Sequence, residues 1–409
     1  MTEPSPLAPA RFPDLPVISG VRLNTIAAGI RYKGRTDLLL AELAPGTTIA
    51  GTFTRSLTAS APVEWCRRGV KRGRVRGILV NAGNANAFTG IAGIAAVKRT
   101  VSEVAKRLGC KPEEVFTCST GVIGQPLPAD RVVSALDDLH RGLAAGGFDR
   151  AARAIMTTDT FPKGATRTAT IGGVTVTING IAKGSGMIAP DMATMLGFVF
   201  TDAAIPAKAL QAMLTRATDR SFNCITVDGD TSTSDTLLFC ATGTAGNPKV
   251  AEAGDPRLKD FRRALEEVMI DLAQQVVRDG EGAAKFATIA ITGAASNKAA
   301  RKIGLSIGNS PLVKTALAAG DANWGRLVMA VGKAGQKADR DQLTIHIGGV
   351  PIAAAGGLVD GYDETPVAQH MKGQEVLIEI DVGIGRGKAV VWTCDLTHRY
   401  IDINANYRS

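Results

Sequence analysis

Length, composition and charge narrow the class of protein first. The chain has 409 residues, of which 45% are hydrophobic and 21% charged, with a formal net charge of +9 at pH 7. These values are typical of a globular protein with a sizeable core, organised as one large or two ordinary domains. No apolar run approaches the length of a membrane-spanning helix, so we expect no membrane partner.

The N-terminal segment, residues 1–16, is rich in proline and carries acidic residues at Glu3 and Asp14. It lacks the basic start and the apolar centre of a signal peptide. The sequence therefore predicts a disordered lead, with the folded chain starting at residue 17.

A basic chain raises the alternative of a nucleic-acid-binding protein. The densest basic cluster lies between residues 67 and 76, and no aromatic residue is interleaved after Trp65. Aromatic residues make up only 5% of the chain, so stacking platforms for single strands are scarce. We interpret the cluster as a solvated face that helps to attract carboxylate substrates, and expect no nucleic-acid partner. Its members are Arg67, Arg68, Lys71, Arg72, Arg74 and Arg76.

Cysteine and histidine spacing gives no sign of a metal or redox site. The six cysteines are scattered without a CxxC pair, and the four histidines are far apart without HxxxH spacing. We therefore expect no metal and no cofactor, and interpret the cysteines as buried thiols of a cytoplasmic protein.

The first third of the chain alternates strand and helix signals. Residues 36–44 and 46–54 have the apolar runs of strands, and residues 76–80 predict a buried strand that enters an Asn/Gly loop at residues 81–87. Apolar residues at helical spacing then predict a helix over about residues 91–108. The loop is either a simple helix start or a place near a ligand.

Two further strand signals follow in the second third. Residues 115–124 predict a short strand that runs into the small residues Ser119-Thr-Gly-Val-Ile-Gly, before a helix that starts near Asp130. Residues 168–181 predict a hairpin, with Gly172 and Gly173 at its turn. Alone, these segments indicate only mixed α and β structure.

The stretch from residue 183 to residue 197 has the sequence KGSGMIAPDMATMLG. Gly184 and Gly186 suit a close approach of backbone to a ligand, and residues 195–200 predict a buried strand. Thr194 is thus placed where a loop meets that strand. The stretch is either a glycine turn before a core strand or the site of a nucleophile. A threonine hydroxyl is weak unless a base activates it, and its own α-amino group does so only once the preceding peptide bond is cut.

The last part of the chain carries several polar turns. Asp228, Asp230 and Asp235 lie in a hydroxyl-rich run whose spacing does not match a calcium loop. Asp255-Pro256 predicts the start of a long helix that ends near Asp279, with Glu281 in the junction before a strand at residues 286–291. Residues 374–382 and 388–395 predict a hairpin, and the C-terminal residues 400–409 are rich in strand formers.

The stretch around Thr194 resembles the self-cleavage segment of the ornithine acetyltransferases, the glutamate N-acetyltransferases of arginine biosynthesis. The resemblance covers residues 20–409, with family motifs also at residues 81–86, 119–124 and 279–283. It implies a precursor that cuts itself between Ala193 and Thr194 into an alpha chain, 17–193, and a beta chain, 194–409. The new N-terminal Thr194 would then carry the acetyl group.

The resemblance also implies roles for individual residues. Thr120 and Gly121 would be the oxyanion-hole donors. Substrate contacts would come from residues of both chains, with Thr158 as the alternative to the adjacent Thr157: Thr157, Lys183, Thr194, Glu281, Asn404 and Ser409.

The function implied is acetyl transfer from N2-acetyl-L-ornithine to L-glutamate by an α₂β₂ heterotetramer. The implied fold is α+β, with stacked α/β/β/α layers and the cleaved threonine between the sheets, as in N-terminal-nucleophile aminopeptidases. Whether acetyl-CoA is a second acetyl donor stays open. The rival functions are a self-processing aminopeptidase of similar fold and a basic nucleic-acid-binding protein.

Overall fold

The structure is a computed structural model and describes residues 3–189 and 195–405. The strands are β1 (Val21–Ile26), β2 (Leu38–Leu43), β3 (Thr48–Phe53), β4 (Gly77–Asn84), β5 (Val115–Val122), β6 (Ala144–Ala145), β7 (Lys163–Ile171), β8 (Val174–Lys183), β9 (Leu196–Thr201), β10 (Ile225–Thr226), β11 (Thr236–Ala241), β12 (Phe286–Ala294), β13 (Thr344–Ile347), β14 (Val350–Ala354), β15 (Gly357–Leu358), β16 (Glu375–Asp381) and β17 (Gly387–Cys394).

The α-helices are α1 (Ala61–Gly69), α2 (Gly90–Leu108), α3 (Ala129–Arg141), α4 (Phe148–Ala154), α5 (Ala207–Thr218), α6 (Lys259–Arg278), α7 (Asn297–Gly308), α8 (Pro311–Ala319), α9 (Trp324–Gly332), α10 (Glu364–Met371) and α11 (His398–Ala405). Short 3-10 helices occur at Val70–Arg72, Pro112–Glu114, Phe222–Cys224 and Pro256–Leu258.

The strands of the described ranges form three sheets. The first sheet has the order β5-β4-β2-β1-β6, the second β3-β11-β9-β8-β7 and the third β10-β17-β12-β16-β13-β14-β15. β9 and β11 are buried along their whole length, because they lie inside the second sheet with packed layers on both faces. This explains their continuous apolar sequences.

Three packed cores show the order of the layers. One core lies between the first and second sheets, where Leu39 and Ile78 share a cluster with Phe198 and Leu238. The outer face of the first sheet is covered by α2 and α3, and the outer face of the second sheet by α5 and α6. The layers are therefore helix, sheet, sheet and helix, and the predicted α+β fold with stacked α/β/β/α layers is confirmed.

The third sheet corrects one prediction. Residues 374–382 and 388–395 form β16 and β17, but these strands do not pair with each other as a hairpin. β12 lies between them, parallel to β16 and antiparallel to β17. Alternation of apolar and polar residues identifies a strand, whereas the partner is set by packing over long sequence distances.

Several local predictions are confirmed. The helix predicted at residues 91–108 is α2, which ends at Gly109 in the left-handed conformation, with φ 59°. β7 and β8 form the predicted antiparallel hairpin, with Gly172 and Gly173 at its turn. The Asp255 carboxylate accepts the Arg257 N–H and so caps the helical segment that leads into α6.

Both ends of the described chain differ from the prediction. Residues 3–16 lie against the folded body: Leu7 is buried, and Ser5 Oγ donates to the Arg278 carbonyl at 2.6 Å. The lead is thus not the disordered segment that its proline content predicts. At the other end, residues 398–405 form the helix α11, although residues 400–409 are rich in strand formers.

The second sheet arranges three strand ends in one row. Lys183, the last residue of β8, pairs with Leu196, the first residue of β9. Leu196 in turn pairs with Thr236, the first residue of β11. Thr120, near the end of β5 in the first sheet, lies within hydrogen-bond distance of Lys183. The fold therefore gathers the ends of strands from both inner sheets at one place.

No helix of the described ranges is long and apolar enough to cross a bilayer. Among the same residues, no group of histidine, cysteine and carboxylate side chains is arranged to hold a metal ion.

Candidate active site

A cavity of about 280 Å³ opens where these strand ends meet. Its walls come from both inner sheets, from the turn after α6 and from the C-terminal helix α11. Residues with hydroxyl, amine, amide and carboxyl groups line it, among them Thr120, Thr157, Lys183, Asp235, Glu281 and Asn404. The described residues that the family resemblance selected are thus brought together, although up to 284 positions separate them in sequence.

Lys183 is the cation of this cavity. Its Nζ donates to Thr157 Oγ1 at 2.6 Å and to Thr120 Oγ1 at 3.3 Å. Burial lowers the pKa of the Lys183 ammonium, and the neighbouring Lys163 acts in the same direction, whereas Asp159 opposes them. A substrate carboxylate that binds beside Lys183 would favour the charged form of its ammonium group.

Thr120 and Gly121 lie near the end of β5, at the cavity wall. Gly121 has φ 130°, and a Cβ at this position would lie 2.3 Å from the carbonyl carbon of Gly83. Only glycine therefore allows β4 and β5 to approach so closely here. The approach brings the Thr120 hydroxyl and the Gly121 backbone to the cavity, as an oxyanion hole requires.

The buried carboxylate of Asp159 binds the backbone beside Lys183 and the backbone of Thr157. Asp159 Oδ1 accepts the Gly184 N–H at 2.6 Å, and Oδ2 accepts the Thr157 N–H at 2.9 Å. Asp159 Oδ2 also lies 3.8 Å from Lys183 Nζ. One side chain therefore positions the backbone on each side of the cation.

Lys163 completes this network. Its Nζ lies 2.7 Å from Asp159 and 2.5 Å from Asp279, and all three side chains are fully buried. Burial opposes ionisation of Asp159, but Lys163 and Lys183 outweigh it and hold the pKa of this carboxyl below its ordinary value. The network thus holds Asp159 in place behind Lys183 and Thr157.

Glu281 and Asn404 form the opposite wall. Asn404 Nδ2 donates to Glu281 Oε2 at 2.7 Å, so α11 meets the turn that follows α6. The Glu281 N–H donates to the Ser185 carbonyl at 2.8 Å, which ties this turn to the glycine-rich stretch. The wall therefore offers a carboxylate and an amide to a ligand.

The loop that leads towards the predicted cleavage position is also anchored. The Asp228 carboxylate accepts the Met187 and Ile188 N–H groups at 2.6 and 2.9 Å. Tyr400 Oη of α11 lies 3.4 Å from the same carboxylate. Asp228 thus joins this loop to the C-terminal helix.

Thr157 and Thr158, the two candidates for one substrate contact, have different partners in the structure. Both line the cavity, but Thr157 accepts from Lys183, whereas Thr158 Oγ1 is 2.8 Å from Ser185 Oγ. Three predicted residues, Ala193, Thr194 and Ser409, lie outside the described residues. Met195, which follows Thr194 in sequence, lines the cavity.

Three acidic residues of the site were not assigned roles from sequence. Asp159 lies beside the predicted Thr157, while Asp228 and Asp235 belong to the hydroxyl-rich run whose spacing does not match a calcium loop. The serine and threonine residues around Asp228 and Asp235 marked this run as part of the site, but they did not indicate what each acid does. Together, the described groups can bind a carboxylate, stabilise an oxyanion and bind an amine in one cavity.

Comparison with known proteins gives a consistent result. A model of the ArgJ family matches residues 22–409. The chain is 57% identical to the arginine biosynthesis bifunctional protein ArgJ of Gluconobacter oxydans over 411 aligned residues, covering 100% of this chain and 97% of that protein. It is 58% identical to the protein of the same name from Ruegeria pomeroyi over 412 residues, covering 100% of this chain and 99% of that protein.

A solved structure also matches. The crystal structure of the arginine biosynthesis bifunctional protein ArgJ from Bacillus halodurans is similar, with a TM-score of 0.50 and 39% sequence identity. The match covers 51% of this chain and 98% of the solved chain.

Proposed function

The chain belongs to the ArgJ family, and from this premise we propose that it is a glutamate N-acetyltransferase of arginine biosynthesis. It transfers the acetyl group of N2-acetyl-L-ornithine to L-glutamate through an acetyl ester on Thr194. The observation that carries the proposal is the contact of Lys183 with Thr120 and Thr157 in a cavity that Met195 also lines. A carboxylate-binding cation, a predicted oxyanion donor and the neighbour of the predicted nucleophile thus share one site.

The reaction has two stages. The Thr194 hydroxyl first attacks the Ala193 carbonyl and the Ala193–Thr194 peptide bond breaks. Water then hydrolyses the resulting ester, which frees the Thr194 hydroxyl and α-amino group. This amine then takes the hydroxyl proton while Thr194 attacks the acetyl carbonyl, and ornithine leaves. Glutamate finally attacks the acetyl ester and departs as N-acetylglutamate. An α-amino group with an unperturbed pKa of about 7.7–8.0 suits a base near neutral pH.

Charge and hydrogen bonding support the choice of substrates. Lys183, next to the Thr157 hydroxyl, suits the α-carboxylate that N2-acetyl-ornithine and glutamate share. Glu281 and Asn404 suit amino and carboxyl groups on the rest of the substrate. Ser409 is proposed as a further contact. The same site would accept both amino acids in turn, as a shared acyl-enzyme requires.

The length of the solved relative supports a cleaved chain. The Bacillus halodurans chain matches over 98% of its own length but covers only 51% of this chain, so it is about half as long. Cleavage before Thr194 gives residues 194–409, which is a little over half of this chain. Both halves, 17–193 and 194–409, contribute walls to the cavity, so we propose that they stay together in an α₂β₂ assembly in the cytoplasm.

The proposed chemistry needs neither a metal nor a cofactor, since a hydroxyl, an amine and oxyanion donors are sufficient for acyl transfer. Because the relatives are named bifunctional, we propose acetyl-CoA as a second acetyl donor for glutamate.

A denaturing gel with N-terminal sequencing tests the proposal. Purified protein should give fragments 1–193 and 194–409, the second starting with Thr194, and the variant Thr194→Ala should stay uncut. An intact wild-type chain with acetyltransferase activity, or a Thr194→Ala chain cut at the same bond, would remove the self-cleavage stage. Release of amino acids from peptides without acetyl exchange would indicate an aminopeptidase instead.

A further inference from the structure

Self-cleavage, the first stage of the proposed reaction, needs a base other than the Thr194 α-amino group. The Thr194 α-amino group serves as base only after cleavage, because it is an amide nitrogen in the precursor. Another group must therefore take the Thr194 hydroxyl proton when the chain cuts itself. The identity of this group rests on the proposed function and concerns self-cleavage, the step before acetyl transfer.

Asp235 lies near Met195, the residue that follows the predicted cleavage position in sequence. It precedes β11, whose first residue, Thr236, pairs with Leu196 in the parallel ladder with β9. The Thr236 N–H donates to the Met195 carbonyl at 2.9 Å. Asp235 is therefore held at the level of Met195, the residue that follows Thr194, and its side chain lines the cavity.

The Asp235 carboxyl is buried and incompletely bonded. The residue is only 2% exposed, and Ser232 binds the carboxyl through its hydroxyl and its backbone. Within residues 3–189 and 195–405, the oxygen Oδ2 has no hydrogen-bond partner. An unpaired buried carboxyl oxygen costs stability, and a functional role is one explanation for its presence.

Burial favours a proton acceptor at this position. Burial raises the pKa of Asp235, while Lys183, at the end of β8, acts in the opposite direction. Glu281 faces the same cavity from the turn after α6. A carboxyl with a raised pKa binds a proton more tightly than an ordinary aspartate, as a general base near neutral pH must.

The other described carboxylates of the site are already engaged. Asp159 accepts from Lys163, Gly184 and Thr157, and Glu281 accepts from Asn404. Asp228 does not line the cavity and accepts from the backbone of residues 187 and 188. Of the described carboxyl groups that line the cavity, Asp235 is the one with a buried oxygen that accepts no hydrogen bond, and it precedes the strand that pairs with β9.

We propose that Asp235 is the general base of self-cleavage. Its carboxylate takes the Thr194 hydroxyl proton as Oγ forms a bond to the Ala193 carbonyl carbon, with the negative oxygen held by Thr120 and Gly121. Asp235 then returns the proton to the Thr194 nitrogen as the C–N bond breaks, which leaves an ester between Ala193 and the Thr194 hydroxyl. Water hydrolyses this ester, so the Ala193 carboxylate and the free Thr194 hydroxyl and α-amino group result.

The test follows self-cleavage in full-length precursor freshly made by cell-free translation, with the uncut fraction read from intact mass over time. We expect Asp235→Asn to slow cleavage by about a hundredfold or more, the usual loss for a general base. Asp235→Glu keeps the carboxyl and should recover part of the rate. Asp395→Asn is the matched control, because Asp395 is also buried, has an unbonded Oδ2 and does not line the cavity.

The pH profile separates a base from a structural role. Only the ionised carboxyl accepts a proton, so the wild-type cleavage rate should rise with pH through the raised pKa of Asp235 and then level off. Asp235→Asn should lose this rise. If Asp235→Asn does not fold, as judged by circular dichroism, the Asp235→Glu profile decides, and it should still rise with pH.

Two outcomes would overturn the proposal: cleavage of folded Asp235→Asn within threefold of the wild type, or an equal loss in Asp395→Asn. In either case the wild-type chain would still cut before Thr194 and transfer acetyl groups, so the proposed function would stand. A wild-type chain that does not cut at all would instead remove the self-cleavage stage of the proposed function.

Discussion

Asn404 in the last helix donates a hydrogen bond to Glu281 at 2.7 Å, across 123 positions of sequence. The contact brings the C-terminal part of the chain into the wall of the cavity that holds Lys183 and Thr120. Residues on both sides of the predicted cleavage position therefore build one site. Cleavage there would leave a complete site only if the two halves stayed associated.

Asn404→Ala tests the role of this wall. Loss of one hydrogen bond to a charged group costs about 1.5 kcal/mol, so we expect the KM for N2-acetyl-ornithine to rise about tenfold. Steady-state kinetics and the cleaved fraction on a denaturing gel provide the measurements. Cleavage should be nearly unchanged, because Asn404 is proposed to hold substrate. Ile401→Ala, an exposed position of the same helix, is the control. An unchanged KM would exclude Asn404 as a substrate contact.

Thr120 is predicted to serve both stages, because each passes through a tetrahedral oxyanion. Thr120→Val keeps the shape but removes the hydroxyl, and should slow self-cleavage and acetyl transfer by about 10²–10³ each. Thr117→Val, at a buried position of the same strand that does not line the cavity, controls for packing changes. If both rates of Thr120→Val stay within a factor of about two, Thr120 is not an oxyanion donor.

The neighbouring hydroxyls Thr157 and Thr158 provide a matched pair. Thr157 accepts a hydrogen bond from Lys183, whereas Thr158 contacts Ser185. Thr157→Ala should therefore raise the KM for both amino-acid substrates by about tenfold, and Thr158→Ala by about twofold at most. Steady-state kinetics of the two variants decide between them. A larger effect at Thr158 would transfer the predicted contact to that residue.

The buried carboxylate of Asp159 predicts a dependence of stability on acid. Its pKa in the folded chain lies below the ordinary 3.8, so below about that pH the unfolded chain binds a proton that the folded chain does not. The free energy of unfolding should therefore fall as the pH drops, by up to about 1.4 kcal/mol per pH unit from this group. Urea unfolding at a series of pH values between about 5 and 2 measures this fall in the free energy of unfolding.

Asp159→Asn should remove this part of the acid dependence and lower stability near neutral pH by about 3–5 kcal/mol, because Lys163 loses one of two buried partners. The exposed Asp130→Asn should keep the wild-type dependence. Equal slopes for Asp159→Asn and wild type would show that Asp159 is not held ionised by its neighbours.

Much of the fold was predictable from local sequence. α2 and the β7–β8 hairpin carry their own signals, namely helical spacing in one case and two strands around Gly172-Gly173 in the other. The hairpin expected at residues 374–395 was wrong, because β12, from far earlier in the chain, inserts between its strands. Pairing over such distances depends on how whole layers pack, and no short pattern encodes it.

The site was predictable to a different extent. Lys183, Thr120 and Glu281 could be selected because each lies in a motif with a family match, and the structure brings all three to one cavity. Asp159 and Asp235 could not be given roles, because a buried acid and a surface acid look alike in sequence. Their burial becomes visible only once the second sheet and α6 pack around them.

The most direct test of the account is intact mass spectrometry after a rapid mix with N2-acetyl-L-ornithine alone, without glutamate. We predict one added acetyl mass on the fragment 194–409, none on 1–193, and loss of that acetyl group when glutamate is added. Double-reciprocal plots for the complete reaction should be parallel, as for a shared acyl-enzyme. An unacetylated 194–409 fragment together with intersecting lines would contradict the account, since the acetyl group would then pass directly between two bound substrates.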